Sequence, residues 1–390
     1  MMKVIRTIQP VGQGGFYTEF FMDGTNEHCI VYDCGSDTKG EPKSTIHYAI
    51  PESTTIDILF ISHLDNDHVN GIKELVKNNT IKRVVLPQID SFEWYYILAD
   101  SISKNKNADD SIISTIRTAI RKIPTIIKVK PSDLEIGFNS SATFDLSDEN
   151  EIFSNPIESG SQLLNNWLGG TLKWIFMPIN NAEGRKISKL KSDLEKFLAS
   201  KSGNETIDLS SLSSEKFISL INPHRKEINE IYNEIFSSTN NASMLLYSGL
   251  NDTAHNTFTS TKFTLCHWAY RSRFWDYYYD REYKEACLYT GDSNLLDDFQ
   301  KKNIKNKVGH LIVRVGLLQI PHHGSINNFS VQSFHDLGVH ECALFVSYGT
   351  SNKYGHPSTY LMVSLYVLDI PIAEVTETKN STLYQIVDIL

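Results

Sequence analysis

No apolar run in this chain approaches the ~20 residues a membrane helix needs. The first residues, Met1-Met2-Lys3-Val4-Ile5-Arg6, form neither a long apolar segment nor a small-residue cleavage site. Neither a membrane anchor nor a secretory leader is expected, and a cytoplasmic location is. Cysteine is scarce: Cys29, Cys34, Cys266, Cys287 and Cys342 make five in 390 residues, an odd number with no CxxC pair. That spacing excludes a disulfide framework and a structural zinc site and leaves buried free thiols. Positive charge is also in short supply. The 37 Lys and Arg against 46 Asp and Glu give a net charge of −9, which excludes a wholly basic nucleic-acid-coating surface but leaves room for a local basic groove. The remaining composition, 41% hydrophobic and 21% charged, is that of a globular protein able to bury a core.

The densest chemistry follows the apolar run Ile58-Leu59-Phe60-Ile61. Residues 62–68 read Ser-His-Leu-Asp-Asn-Asp-His, placing two imidazoles and two carboxylates at what reads as the end of a buried strand. His63, Asp65, Asp67 and His68 are hard and borderline donors packed too closely for one ion to use comfortably. They read as ligands for two adjacent divalent metals, and the chain as a metallohydrolase.

Around this cluster the pattern is α/β. The runs Phe16–Met22 and Cys29–Tyr32, separated by Asp23-Gly24, read as a hairpin. A strand at 56–61, a helix from Val69 to Lys77 and a strand from Ile81 to Leu86 follow. Helical patterns rich in Ile and Lys fill about 90–130. From about 145 to 238 the chain turns polar, and Ile187, Leu190, Leu194, Phe197 and Leu198 mark an amphipathic helix there. Phe217, Leu220 and Ile221 mark a second, broken near Pro223. This stretch reads as an insertion in a single 1–390 domain. In the last third, Met244–Tyr247 and Phe263–Leu265 look like a hairpin. Three apolar strands then each run into polar residues suited to metal or phosphate: 287–290 into Gly291-Asp292, 317–320 into Pro321-His322-His323-Gly324-Ser325, and 343–347 into a loop ending Tyr354-Gly355-His356-Pro357.

Together these motifs resemble the metallo-β-lactamase superfamily, and within it the ComEC-like branch named for DNA-uptake proteins. His63, Asp65, Asp67 and His68 match that branch's HxDxDH variant of the superfamily's HxHxDH. Gly12-Gln13-Gly14, Asp33-Cys34-Gly35, Thr290-Gly291-Asp292, Pro321 to Ser325 and Ser347 to Pro357 match its supporting motifs in order, from residue 11 to 358. The chain departs from the branch in lacking membrane segments and in having Asn70-Gly71 where Gly-Gly often stands.

The resemblance implies a four-layer αββα sandwich with the site at the edge where two βα halves meet. It implies two divalent ions, zinc or manganese, with Asp292 as the bridging carboxylate. His63 and Asp65 would bind one ion and Asp67 and His68 the other, with His356 and one of His322 and His323 completing the shells. Asp33 would orient a ligand imidazole. Asp67, His322 and His323 are the candidate catalytic groups, the histidine not used as a ligand contacting phosphate or protonating the leaving oxygen. Two ions ~3.5–4 Å apart can bridge a hydroxide and clamp the oxygens of a displaced ester. The expected function is therefore a phosphodiesterase, most readily a nuclease acting on nucleic acid or a nucleotide. The other readings are an acyl hydrolase acting on a lactone, thioester or β-lactam, and a regulated subunit of an assembly such as a bacterial phage-defence effector, with protein partners docking on the insertion. The stretch 267–283 interleaves bases with aromatics, which suits single-stranded nucleic acid but equally a packed or partner-facing hairpin.

Overall fold

The computed structural model describes residues 2–24, 26–88, 119–132, 142–146, 156–167, 173–181, 184–203, 206–235, 243–251, 259–265, 284–339 and 342–389. The aromatic stretch 267–283 lies outside them, as does most of the Ile- and Lys-rich pattern of 90–130, whose described end is helical at 119–120 and then forms the strand Thr125–Val129.

In chain order the strands of the first half are β1 (Met2–Ile8), β2 (Phe16–Met22), β3 (Glu27–Cys34), β4 (Thr55–Phe60), β5 (Thr80–Ile81), β6 (Arg83–Pro87) and β7 (Thr125–Val129). Then come β8 (Thr143–Asp145), β9 (Gln162–Asn165), β10 (Trp174–Asn180), β11 (Met244–Leu250) and β12 (Thr259–Leu265). The last are β13 (Ala286–Tyr289), β14 (Val315–Gln319), β15 (Ala343–Ser347), β16 (Ile372–Val375) and β17 (Leu383–Ile389). One sheet runs β12-β17-β1-β2-β3-β4-β6-β7 with β5 on β4; the other runs β16-β15-β14-β13-β11-β10-β9-β8.

Central strands such as β4, β10, β11, β14 and β15 are buried on both faces because both faces are covered. Ile58 and Phe60 of β4 meet Phe176, Leu246, Leu317 and Phe345 of the facing sheet in one inter-sheet core. The alternate residues Leu59 and Ile61 turn outward to Val69, Ile72 and Leu75. They pack there under α1 (Lys43–Ala49), α2 (Asn66–Val69) and α3 (Ile72–Asn78). On the opposite side Leu245, Leu318 and Leu344 pack against Ile304, Val308, Leu361 and Leu365. The result is the expected αββα sandwich.

The β2–β3 hairpin forms, in antiparallel register from Tyr17↔Tyr32 to Met22↔Glu27. The helix expected from Val69 to Lys77 is split at Asn70-Gly71, where the Gly71 N–H bonds the carbonyl of Cys34 at 2.9 Å. The second expected hairpin does not form. β11 pairs with β10 and β13 in one sheet, whereas β12 pairs with β17 in the other. An alternating apolar pattern specifies a strand but not its partner, which is decided by distant segments.

The stretch 145–238 divides in two. Its first part contains β9 and β10, strands of the second sheet. Its second part contains α4 (Gly184–Ser202), α5 (Ser214–Ile221) and α6 (Arg225–Ile235), the last two separated by a short turn at Asn222–His224. Leu190, Leu194, Leu198, Phe217, Ile221, Ile228 and Tyr232 give this helical unit a core of its own. It leaves and rejoins the sheet between paired neighbours, Asn180 opposite Met244. The remaining helices are α7 (Asp298–Val308), α8 (Val331–Asp336) and α9 (Thr359–Val367). Among the described residues no helix is long and apolar enough to cross a membrane.

One charged pair lies wholly inside the inter-sheet layer. Arg6 Nε donates to Glu19 Oε1 at 2.7 Å, and Glu19 also accepts from Ser248 Oγ at 2.7 Å and Tyr289 OH at 2.9 Å. Arg6 is completed by Gln385 and the Glu285 carbonyl. Every described cysteine (Cys29, Cys34, Cys287 and Cys342) is buried and unpaired, with burial pushing its thiol upward.

Candidate metal centre

β4 delivers the first-half cluster. The chain leaves the sheet after Phe60, and Asp65 precedes the single-turn helix α2, which carries Asp67 and His68. The glycine motifs allow the backbones beneath to close. A Cβ on Gly35 would lie 2.5 Å from the His68 carbonyl carbon, and one on Gly14 would lie 2.6 Å from the Asp67 carbonyl oxygen. The Gly15 N–H bonds that same oxygen at 3.1 Å. Gly12-Gln13-Gly14-Gly15 and Asp33-Cys34-Gly35 are thus the bed on which Asp67 and His68 rest.

The second half brings its groups from three loops. Asp292 follows β13, and His322 and His323 follow β14. His356 lies in the loop between β15 and α9. His322, His323 and Gly324 are all left-handed, with φ of 47°, 53° and 81°. Non-glycine residues rarely hold this conformation, and those that do concentrate at functional sites. Gly324 is also required by space, since a Cβ there would sit 2.5 Å from that of Pro357.

Four imidazoles are anchored through Nδ1. His68 Nδ1 bonds Asp33 Oδ2 at 2.8 Å, His323 Nδ1 bonds the Ser347 carbonyl at 2.8 Å, and His322 Nδ1 bonds Asn328 Oδ1 at 2.9 Å. His63 Nδ1 lies 2.9 Å from Ser62 Oγ, whose proton is committed to Asp33 Oδ2 at 2.6 Å. Each Nδ1 faces an acceptor and so carries the proton, leaving the Nε2 lone pair as the free donor of the neutral ring.

Those Nε2 atoms converge on carboxylates. His68 Nε2 is 3.3 Å from Asp292 Oδ1, and His63 Nε2 is 3.7 Å from both Asp292 Oδ2 and Asp65 Oδ2. His323 Nε2 is 3.1 Å from Asp67 Oδ2, and His322 Nε2 is 3.9 Å from Asp292 Oδ2. His356 stands beside His322, ring centroids 5.3 Å apart. Every residue expected at the site is therefore brought to it. Two triads place their donor atoms within 4.8 Å of one another: His63, His68 and Asp292, and Asp67, His68 and His323.

The donor set fits divalent cations. Donors ~2.1 Å from one ion lie about 3.0–3.4 Å apart at octahedral or tetrahedral angles, close to the spacing of these triads. His63 Nε2, His68 Nε2 and Asp292 Oδ1 are buried without hydrogen-bond partners. Three such atoms in one spot would cost a protein about 1–3 kcal/mol each, and a cation that uses their lone pairs removes the penalty. The charges are arranged likewise. Burial opposes ionisation of His68, but Asp292, Asp33 and Asp67 outweigh it and raise its pKa well above the ordinary value. Burial likewise opposes the charge on Asp292, and the surrounding imidazoles hold its carboxyl well below the usual range. His356 is lowered to about 4 by burial and by His322 and His323.

Asp33 accepts from the Ser62 N–H and Ser62 Oγ as well as from His68, so it braces two imidazoles rather than one. Sequence reasoning missed Ser62, Asn328 and Ser243. The Ser243 hydroxyl accepts from the Asp292 N–H at 3.1 Å and lies 3.3 Å from His63 Nδ1. Ser62 stood inside the motif, but no sequence signal pointed to Ser243, which sits where the chain returns from the helical unit.

The chain is thus an αββα sandwich with histidines and aspartates gathered at one edge of its sheets. Residues 20–144 match the family model described as the metallo-β-lactamase superfamily, whose members are usually metal-dependent hydrolases. No curated protein matches the chain. Among solved structures it is similar to the metallo-β-lactamase fold protein YhfI from Bacillus subtilis, at 10% identity and TM-score 0.39 over 98% of this chain and 99% of that one. It is also similar to unliganded yeast PDE1, at 9% identity and TM-score 0.41 over 98% of this chain and 99% of that one.

Proposed function

We propose that this chain is a divalent-metal-dependent phosphodiesterase acting on nucleic acid or a nucleotide. The carrying observation is the convergence of anchored imidazoles, each with Nδ1 held by the protein, on Asp65, Asp67 and Asp292. A set with this many carboxylates is hard, which suits manganese or zinc and an anionic ester better than a purely imidazole set would.

In this reading His63, Asp65, His68 and Asp292 hold one ion, and Asp67, His68 or Asp292, and His323 hold the other. Divalent ions so held supply Lewis acidity toward a phosphoryl group and acidify water. The protein's own part is orientation. Asp33 and Ser62 fix His68 and His63, the Ser347 carbonyl fixes His323, and Ser243 ties the Asp292 backbone to His63. His322 is about a quarter exposed where His323 is buried, so it and partly exposed His356 face the open side. They are placed to contact phosphate and to pass a proton to the leaving oxygen. The helical unit α4–α6, with its own core and its root at Ser243, supports a role in docking a protein partner.

The test is metal analysis of the purified protein together with a cleavage panel of single- and double-stranded DNA, RNA, cyclic nucleotides, a simple phosphodiester, and lactone and thioester probes. Metal-dependent turnover of a phosphodiester that is lost in Asp67→Ala is the expected result. Turnover confined to acyl probes, or undiminished metal and activity in Asp67→Ala, overturns the proposal.

A further inference from the structure

Each second-half loop that supplies a candidate ligand also exposes one large apolar side chain close to it in sequence. Leu296 follows Asp292 and is 40% exposed, Ile326 follows His323 and is 42% exposed, and Tyr354 precedes His356 and is 65% exposed. Such side chains ordinarily go inside, and isolated exposures carry no message. Here they share three loops that are hydrogen-bonded to one another. The Leu295 N–H bonds the Asn328 carbonyl at 2.8 Å, Asn328 Nδ2 bonds the Asp292 carbonyl at 3.2 Å, and the Ser358 N–H bonds the Gly324 carbonyl at 2.9 Å.

The loop bearing Tyr354 is fixed rather than loose. Asn352 Oδ1 accepts from the N–H groups of both Tyr354 and His356 at 3.1 Å, and its amide nitrogen donates to the carbonyls of Gly349 and His356. The Tyr354 ring lies nearly parallel to that of His356, at 20° and 6.2 Å between centroids, and His356 abuts His322. An exposed aromatic face is thus held in a set position two rings away from the candidate metal centre, with exposed Lys353 beside it in the chain. A planar, apolar group attached to a phosphate fits this combination. An aliphatic ester would gain nothing from an oriented ring, whereas every nucleobase has a π-face to stack.

We propose that Tyr354 forms a rim that stacks the nucleobase next to the phosphodiester held at the metal centre. This rests on the phosphodiesterase reading and adds that the enzyme recognises bases as well as backbone. The test uses the manganese-loaded full-length protein and two hydrolysis-resistant phosphorothioate probes, octathymidylate and an eight-unit abasic strand of the same charge. Stacking of one base is worth roughly fivefold to over a hundredfold in affinity. Wild-type protein is expected to prefer the base-bearing strand by about tenfold or more. Tyr354→Ala, with wild-type metal content, should bring that ratio close to one, and Tyr354→Phe should restore it. Equal binding of both strands by the wild type, or an unchanged ratio in Tyr354→Ala, overturns the rim while leaving the phosphodiesterase reading standing. A wild type that binds neither strand and cleaves no phosphodiester overturns both.

Discussion

Replacing Asp33 with Asn should weaken metal binding at the candidate centre. Three donors end on this carboxylate: the Ser62 N–H on Oδ1 at 2.7 Å, and Ser62 Oγ and His68 Nδ1 on Oδ2 at 2.6 and 2.8 Å. An asparagine offers one oxygen. With its amide nitrogen turned toward Ser62 Oγ and His68, it presents N–H groups to two donors; turned the other way, it confronts the Ser62 N–H. In the first orientation both imidazoles lose their anchor, His68 directly and His63 through Ser62; in the second the Ser62 N–H is pushed away, displacing the backbone that carries Ser62 Oγ and His63. The backbone is not the issue, because Asp33 has φ 55° and asparagine tolerates the left-handed region as well as aspartate. Losing an outer hydrogen bond to a ligand imidazole costs about 10–100-fold in metal affinity, or about 1.4–2.7 kcal/mol. Because Asp33 braces His63 through Ser62 as well as His68, more than one donor of the candidate centre is affected. Chelator competition with zinc or manganese, and the absorption spectrum of a cobalt-substituted sample, read this without any substrate. Wild-type affinity for both ions in Asp33→Asn would refute the orienting role.

Two other perturbations test the frame that carries the site. Glu19→Gln strands the buried Arg6 charge and should cost about 3–5 kcal/mol in chemical denaturation, whereas Arg6→Met with Glu19→Met should recover most of that loss. A Glu19→Gln protein within 1 kcal/mol of wild type, roughly the worth of a surface pair, would contradict that role for the pair. Asp57, buried at the start of β4, is opposed by desolvation but held below its ordinary value by His28 and by Lys82 Nζ at 2.8 Å. A lowered carboxyl contributes stability that is complete above its unfolded pKa of about 4 and fades as pH falls through the lower folded value. Asp57→Asn should therefore reduce stability at pH 7 and flatten the decline below about pH 4, and melting curves that run parallel to wild type across that window would speak against it.

How much of the site was visible in the sequence depended on how each residue earns its place. His63, Asp65, Asp67 and His68 announce themselves because donors crowded so densely into one short segment repel or compete with one another unless a cation takes them up. Asp292, the His322-His323 pair and His356 were visible because each follows an apolar strand, and strand ends in an α/β sandwich share an edge. The division of labour between His322 and His323 was not. Adjacent imidazoles differ only through backbone angles, and here two left-handed residues in succession send His323 inward to Asp67 and leave His322 partly open. Ser243 was silent because a hydroxyl is useful only through what stands beside it, and its neighbours His63 and Asp292 lie 180 and 49 positions away. The strand partners failed for the same reason: Met244–Tyr247 and Phe263–Leu265 read as strands, but β10 and β17, which claim them, are remote in sequence.

The two halves contribute in physically different ways, and this bears on how such a site changes. The first-half donors come from six consecutive positions, and the backbone of Asp67 and His68 is pressed so closely against Gly14 and Gly35 that even a methyl group there would collide. The second-half donors come from three loops tied to one another by hydrogen bonds, and each loop also displays a side chain to solvent. A substitution at Leu296, Ile326 or Tyr354 alters what the site meets without entering the packed bed beneath it. In the proposed reading, grip on a metal would rest on the first segment and contact with substrate on the second-half loops. The helical unit belongs with the second group, since it is packed on its own core yet returns to the sheet through Ser243. Ser243, where the described chain resumes after that unit, touches both Asp292 and His63 through one hydroxyl.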